Sequence, residues 1–123
     1  MNKAIVQQMF QDVWKSANPD PKNILKYFSS NFIQEIDSKS YTRTEFLHNL
    51  GVLKKTTLAI DIAIKSLQEI GHTVFSNHII RLSFHDGTTN LIHVIASFQL
   101  ENHQITSSDE LTFVEQPTSS YLH

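Results

Sequence analysis

The chain has 123 residues, of which 40% are hydrophobic and 10% aromatic, and a formal net charge of −2. This length suits one domain that buries enough apolar surface to fold without metal or disulfide support. The balanced charge includes no basic block, so nucleic acid is not a predicted partner. The absence of cysteine excludes disulfides, thiol catalysis and cysteine-bound zinc.

Membrane, metal and cofactor signals are also absent from the sequence. No apolar stretch is long enough to span a bilayer, and the N-terminal apolar run is interrupted at Gln7 and Gln8, unlike a signal-peptide core. The seven histidines include no pair at a metal-ligand spacing, and the three glycines form no phosphate-binding loop. The sequence therefore predicts a soluble, cytoplasmic protein without metal or cofactor.

The N-terminal half has the apolar periodicity of amphipathic helices. Two sets of apolar residues, each recurring every four positions, form one stripe over 3–17 and predict the first helix. Asn18 and Pro19 end it, because a residue before proline is pushed out of the helical region. Asp20 and Pro21 then predict the start of a second helix, since aspartate caps free amides and proline suits the first turn.

A third helix has the strongest local signal in the chain. Thr42 and Glu45 have the spacing of a capping box, in which each side chain accepts a hydrogen bond from the other residue's amide. The apolar stripe that follows continues to about Lys55. Gly51 costs this helix about 1 kcal/mol relative to alanine, so we expect it to permit close packing.

Alternating residues predict a strand before the third helix and four strands after it. The Asp86-Gly87 pair indicates a tight hairpin, because both residues tolerate positive φ. Residues 1–116 are predicted to form one domain, with a loose tail over 117–123. The predicted strands cover 31–37, 59–70, 73–84, 89–100 and 105–114.

Several short segments occur in an order that matches a known family. They are Tyr27-Phe28 with Asn31-Phe32, Asp37, Glu45-Phe46, Asp86-Gly87, Gln104-Ile105 and Asp109-Glu110-Leu111-Thr112. With helices first and a four-stranded meander last, the chain resembles the SnoaL-like branch of the NTF2-like superfamily over nearly its whole length.

The resemblance implies an α+β cone in which three N-terminal helices pack on a curved, mainly antiparallel sheet. The open end of such a cone is usually a pocket, and many members are homodimers through the convex sheet face. The resemblance does not imply one activity, because the fold hosts isomerases, cyclases, dehydratases, hydrolases and adaptors.

Two carboxylates are candidates for acid–base chemistry. If Asp37 and Glu110 lie near the lining of the cone, desolvation would raise their pKa values and suit them to general acid or base catalysis. Two alternatives remain open. Asp37 could only cap the turn before Tyr41, and Glu110 could face solvent or pair with Arg81. A gap-free comparison with ketosteroid isomerase puts its general base at Ile36, so that enzyme's arrangement is not predicted.

His93 is the third candidate catalytic residue. It shares a strand face with Leu91 and Ile95, where an imidazole could move protons or could be buried with one hydrogen-bonded nitrogen. His78 and His48 are weaker candidates for the same role.

Aromatic side chains with a polar end are the predicted ligand contacts. Trp14, Tyr27 and Tyr41 would offer flat faces to an apolar ligand, and His48 is added to this set. Phe32 is instead expected to pack in the core.

Three functions are consistent with the sequence, which does not decide whether the chain is an enzyme. The first is a pocket that binds an apolar, polyketide-like or steroid-like molecule. The second is a non-catalytic homodimeric adaptor whose exposed patch includes Phe75, Ile79 and Arg81. The third is an acid–base isomerase, cyclase or dehydratase.

Overall fold

A computed structural model describes residues 1–17 and 20–115. The predicted helix end at Asn18 and Pro19 and the predicted tail over 117–123 lie outside these ranges. The described part contains three α-helices, a π-helix and six strands. The helices are α1 (Asn2–Met9), the π-helix (Phe10–Lys15), α2 (Pro21–Tyr27) and α3 (Arg43–Thr56).

The helix starts follow the capping residues that the sequence contains. The Asp20 side chain accepts a hydrogen bond from the Lys22 amide at 3.0 Å, with Pro21 in the first turn of α2. At α3, Thr42 Oγ1 accepts from the Glu45 amide at 3.2 Å, and Glu45 Oε1 accepts from the Thr42 amide at 2.9 Å. Both predicted N-termini, including the capping box, are confirmed.

The six strands form one sheet in the order β2-β1-β6-β5-β4-β3. Only the pair β1 and β6 is parallel among the described strands; the other neighbours are antiparallel. The strands are β1 (Phe28–Ile36), β2 (Lys39–Thr42), β3 (Ala59–Ile70), β4 (Thr73–Ser83), β5 (Thr89–Glu101) and β6 (Gln104–Val114).

Strand β2 is absent from the sequence prediction. It has four mostly exposed residues and lacks an apolar alternation. Asp37 and Ser38 create it, since both have positive φ values, 49° and 72°, that suit a two-residue hairpin turn.

The sheet is curved, with its concave face against the helices, as in the predicted α+β architecture. Register shifts interrupt the pairing in β1, β3 and β5, and such irregularities bend strands and increase their twist. Inward-facing residues of the strands join apolar residues of the helices in one core, which includes Val6, Phe28, Phe46, Val94 and Ile105.

The expectation of close packing at Gly51 is wrong. A Cβ atom built on Gly51 would meet no other atom within 4 Å. The glycine therefore weakens α3 without a packing benefit.

Gly51→Ala is expected to raise the free energy of unfolding by about 1 kcal/mol, because alanine loses less backbone entropy in a helix. Thermal denaturation should show a midpoint about 3 °C higher for the variant. Gly87→Ala is the matched control: with φ at 88°, it should be destabilised instead. A lower midpoint for Gly51→Ala would contradict the prediction.

No helix within residues 1–17 and 20–115 combines the length and apolar character needed to cross a membrane. The cytoplasmic location stays a prediction from the sequence.

Candidate functional site

A small cavity lies inside the cone between the helices and the concave face of the sheet. Its volume is about 10 Å³, which is room for about one water molecule. Four polar side chains, Gln34, His78, Ser108 and Glu110, face this cavity. Its apolar lining consists of Met9, Phe10, Trp14, Phe28, Phe32, Phe46, Ile80 and Phe98.

Glu110 on β6 is the acidic group of the cavity. Two donors converge on one of its oxygens: Gln34 Nε2 donates to Oε2 at 3.1 Å, and Ser108 Oγ donates to the same atom at 2.9 Å. The parallel pairing of β1 with β6 places Gln34 beside Ser108 and so creates this cluster. Among the described residues, Oε1 has no hydrogen-bond partner.

The surroundings of Glu110 favour its neutral form. Burial raises the pKa of its carboxyl above the usual range, because desolvation penalises the charged state. The bonds from Gln34 and Ser108 act in the opposite direction, while the negative charges of Asp37 and Asp109 add to the increase. The site therefore holds a carboxylic acid that can stay protonated where an exposed glutamate would be ionised.

His78 on β4 is the second titratable group of the cavity. It is 3% exposed, its ring centroid lies 4.7 Å from that of Phe10, and its Nδ1 is 2.7 Å from Ser76 Oγ. Burial lowers the pKa of His78 to about 4, because the imidazolium would lose its hydration. The imidazole is therefore neutral at physiological pH.

A larger pocket, the mouth pocket, opens above the cavity with a volume of about 160 Å³. Trp14, Gln34 and Phe46 line both spaces, so these side chains separate them. The other residues of the mouth pocket are Ile36, Tyr41, Asn49, Leu50 and Leu53. The mouth pocket, which is lined mainly by apolar side chains, thus adjoins the cavity that holds Glu110.

No protein-family model matches the sequence. An uncharacterised protein of Schizosaccharomyces pombe is 21% identical over 113 residues, which cover 92% of this chain and 86% of that protein. The similarity extends along most of both chains, but this relative has no described activity that could suggest a function.

Solved structures match the fold closely. IdmH of Streptomyces antibioticus, a candidate polyketide cyclase, has a TM-score of 0.77 at 8% identity, covering 94% of this chain and 92% of that chain. A candidate SnoaL-like polyketide cyclase of Jannaschia sp. CCS1 has a TM-score of 0.73 at 13% identity. The match covers 93% of this chain and 85% of that chain. The fold is the NTF2-like cone, as in the SnoaL-like proteins.

The same cone occurs with a different chemistry. An LEH-like epoxide hydrolase of M. tuberculosis has a TM-score of 0.75 at 11% identity, covering 91% of this chain and 82% of that chain. Fold similarity alone therefore does not select a reaction, and the residues inside the cone must carry the functional argument.

The NTF2-like cone places the three predicted acid–base residues apart. Glu110 faces the cavity, whereas Asp37 is exposed in the turn after β1. The Asp37 carboxylate accepts hydrogen bonds from the amide and hydroxyl of Thr112. The backbone amide of Asp37 donates to the Glu110 carbonyl at 2.9 Å. Asp37 thus fastens the turn to β6, beside Glu110 but outside the cavity.

His93 lies on the convex face of the cone. Its partners across the neighbouring strands are Ile79 and Phe113, and its Nε2 is 3.6 Å from Glu115 Oε1. Along β5, residues that face the core, such as Val94, alternate with residues on the same face as His93. The structure therefore does not bring His93 to the cavity.

The predicted ligand contacts are also divided. Trp14 lines both spaces, and Tyr41 lines the mouth pocket. Tyr27 is buried in the core, where its hydroxyl donates to Asp12 Oδ2 at 2.6 Å, and His48 is exposed on α3. Neither Tyr27 nor His48 borders the two spaces.

Sequence analysis missed two polar residues of the cone, Gln34 and Ser108. Gln34 occupies an inward position between Phe32 and Ile36 on the same face of β1, and a polar residue in such an apolar alternation is the signal that could have found it. Ser108 is buried beside Gln34 on β6, but its neighbours two positions away, Thr106 and Glu110, are polar, so no such signal marks it. Within the described ranges, no three His, Asp or Glu side chains are grouped as metal ligands.

Proposed function

We propose that the protein binds a flat apolar molecule that carries a carbonyl oxygen, with the rings in the mouth pocket and the oxygen directed to Glu110. The observation that carries the proposal is the convergence of both donors on Glu110 Oε2. With Oε2 acting as acceptor, the proton of the neutral acid belongs on Oε1. A carboxylic acid in this state donates a hydrogen bond to a ligand carbonyl.

The composition of the mouth supports an apolar ligand. Leu50, Leu53, Ile36 and Phe46 provide aliphatic and aromatic surface, and Tyr41 adds a second aromatic face. The polyketide cyclases and the epoxide hydrolase of the same fold support a small molecule rather than a macromolecule as the ligand.

We propose Glu110 as the acid–base group of an isomerase, cyclase or dehydratase activity. Protonation of a bound carbonyl oxygen would activate the adjacent carbon, and the carboxylate left behind would be stabilised by Gln34 and Ser108. In this proposal Asp37 is a positioning residue, because its contacts are with the backbone of Glu110 and with Thr112. His93 has no part in it.

The proposal predicts that ketone binding depends on the protonation of Glu110. Because the pKa of Glu110 is raised, the wild-type acid donates below that pKa and is ionised above it. Affinity for 1-tetralone, a bicyclic aryl ketone, should fall about tenfold as the pH rises through this range, since one hydrogen bond is worth about 1 to 1.5 kcal/mol. Glu110→Gln keeps an amide donor at every pH and should retain the affinity. Isothermal titration calorimetry from pH 5 to pH 9 measures both proteins.

Tetralin, the hydrocarbon without the carbonyl, is the matched ligand control and should bind weakly with no pH dependence. If neither protein binds 1-tetralone at any pH, the proposed function is wrong. If both bind it equally at every pH, the role of Glu110 is wrong.

We further propose that two copies of the chain associate through the convex sheet face. Phe75, Ile95, Leu111 and Phe113, here called the convex patch, are 44%, 53%, 53% and 58% exposed. Ile95 lies directly opposite Leu111, so the patch is continuous across β5 and β6. An exposed apolar patch on a sheet favours a protein partner.

A second copy suits the charges beside the patch. Asp61 and Arg81 face each other across β3 and β4, so the same surface presents both signs and can meet its own copy around a two-fold axis. The adaptor alternative would use this surface for a different protein.

Ile95→Lys is expected to convert a dimer to a monomer of 14.1 kDa, because it places a charge in the centre of the apolar contact. Size-exclusion chromatography with light scattering gives the masses. Leu58→Lys, which changes another exposed apolar residue outside the patch, should remain dimeric. A monomeric wild type would rule out the homodimer.

A further inference from the structure

Trp14 occupies the boundary between the cavity that holds Glu110 and the mouth pocket. It lines both spaces, and its indole centroid lies 6.1 Å from the ring of Phe46, which also lines both. The cavity below this boundary has a volume of only about 10 Å³. A ligand group larger than about one water molecule can therefore enter this cavity only if part of the boundary moves.

Space for such a movement exists beside Trp14. A side groove of about 330 Å³ lies between the end of the π-helix and the start of β3, and Trp14 is one of its lining residues. The indole could thus leave the boundary without displacing the core. Phe46 is 4% exposed and contacts Phe28 and Phe32, so it has less freedom to move.

The backbone that carries Trp14 has an unusual form. Phe10–Lys15 is a π-helix, which has wider turns than an α-helix and is frequent at functional sites. Conversion of this segment to an α-helical register would rotate Trp14 about the helix axis relative to Phe10.

Lys54 of α3 fixes the end of this segment. Its Nζ donates to the carbonyl oxygens of Trp14 and Ser16, each at 2.6 Å. Lys54 lines the side groove but neither the cavity nor the mouth pocket, so it does not border the space proposed for the ligand. Burial lowers the pKa of Lys54, because its ammonium group is partly removed from water.

We propose that Trp14 is a gate above Glu110 and that Lys54 is the latch that keeps it closed, so that a flat ketone reaches Glu110 only when the indole swings into the side groove. This inference rests on the proposed function. It makes Trp14 the residue that selects ligands by shape, since only a narrow group of the ligand can pass the boundary that the indole vacates. It makes Lys54 a positioning residue that sets the fraction of open molecules.

Loss of the Lys54 contacts should increase both the access of a ketone to Glu110 and the affinity of the protein for that ketone. The apparent dissociation constant of a ligand is the intrinsic value divided by the fraction of molecules that are competent to bind. Lys54→Met removes both contacts from Nζ while keeping much of the aliphatic stem. We expect this variant to bind 1-tetralone about tenfold more tightly, which corresponds to about 1.4 kcal/mol.

The experiment uses Trp14 as its own reporter, because it is the single tryptophan of the chain. Acrylamide quenching of its fluorescence without ligand measures gate opening, and stopped-flow fluorescence with 1-tetralone measures association. Lys55→Met, which changes the adjacent exposed lysine of α3, is the matched control and should resemble the wild type. If circular dichroism shows that Lys54→Met is not folded, Lys54→Gln, which keeps a neutral donor, replaces it with a smaller expected change.

Stronger quenching and faster, tighter ketone binding in the Lys54 variant, but not in Lys55→Met, would support the gate. Unchanged quenching and binding, in a wild type that does bind 1-tetralone, would overturn the gate and leave the proposed function standing. Absence of binding in the wild type and in the Lys54 variant would overturn both.

Discussion

Acidification from pH 6.5 to pH 4 is expected to remove about 3 kcal/mol from the free energy of unfolding through His78, given its ordinary pKa of 6.5 and its folded value of about 4. The unfolded chain binds a proton on this imidazole near pH 6.5, whereas the folded chain resists it until about pH 4. Protons therefore favour the unfolded state across this window, and stability falls as the pH falls.

His78→Gln isolates this effect, because glutamine is polar and does not titrate. The variant is expected to be less stable than the wild type at pH 7, where it loses the contact of the imidazole with Phe10. The difference between the two proteins should shrink or reverse by pH 4. Urea denaturation at a series of pH values measures the free energies. His48→Gln, a change in an exposed histidine, should follow the wild-type profile, and a constant difference between wild type and His78→Gln would refute the prediction.

Replacement of Phe46 by alanine is expected to cost about 3–5 kcal/mol of stability, the range for truncation of a buried aromatic side chain. Phe46 is 4% exposed, and its ring centroid lies 5.1 Å from Phe28, 5.6 Å from Phe32 and 6.1 Å from Trp14. Its loss removes the centre of this aromatic cluster and leaves a void between the two spaces of the site.

Urea denaturation of Phe46→Ala tests this expectation, with the slope of the transition reporting whether the folded state stays compact. Phe46→Leu is the graded control, since it keeps an apolar side chain and should lose less stability. A loss below about 1 kcal/mol for the alanine variant would mean that the cone refills the space by rearrangement.

Local signals in the sequence predicted the helix starts and most of the strands. Asp20 and the Thr42–Glu45 capping box act within a few residues, so the sequence alone was sufficient. The π-helix was missed because an apolar stripe with four-residue spacing does not reveal a change in hydrogen-bond register. Strand β2 was missed because a turn, rather than an apolar alternation, creates it.

The site was harder to predict because it depends on which face of each strand turns inward. The predicted strand over 89–100 has apolar residues on both faces, with Ile95 outward and Val94 inward. Alternation therefore placed His93 with Ile95 without showing that their face is convex. For the carboxylates, the parallel pair of β1 with β6 decides the outcome. Ile36 and Glu110 are paired and share the inner face, while Asp37 falls in the turn that follows.

The same pairing has a consequence for biosynthesis. Gln34 and Glu110 are separated by 76 positions, and β6 is the last strand of the described chain. A nascent chain leaves one side of β1 without its neighbour until β6 has also emerged from the ribosome. During that interval the unpaired edge of β1 can pair with other chains, so the cone can close only after β6 has been synthesised.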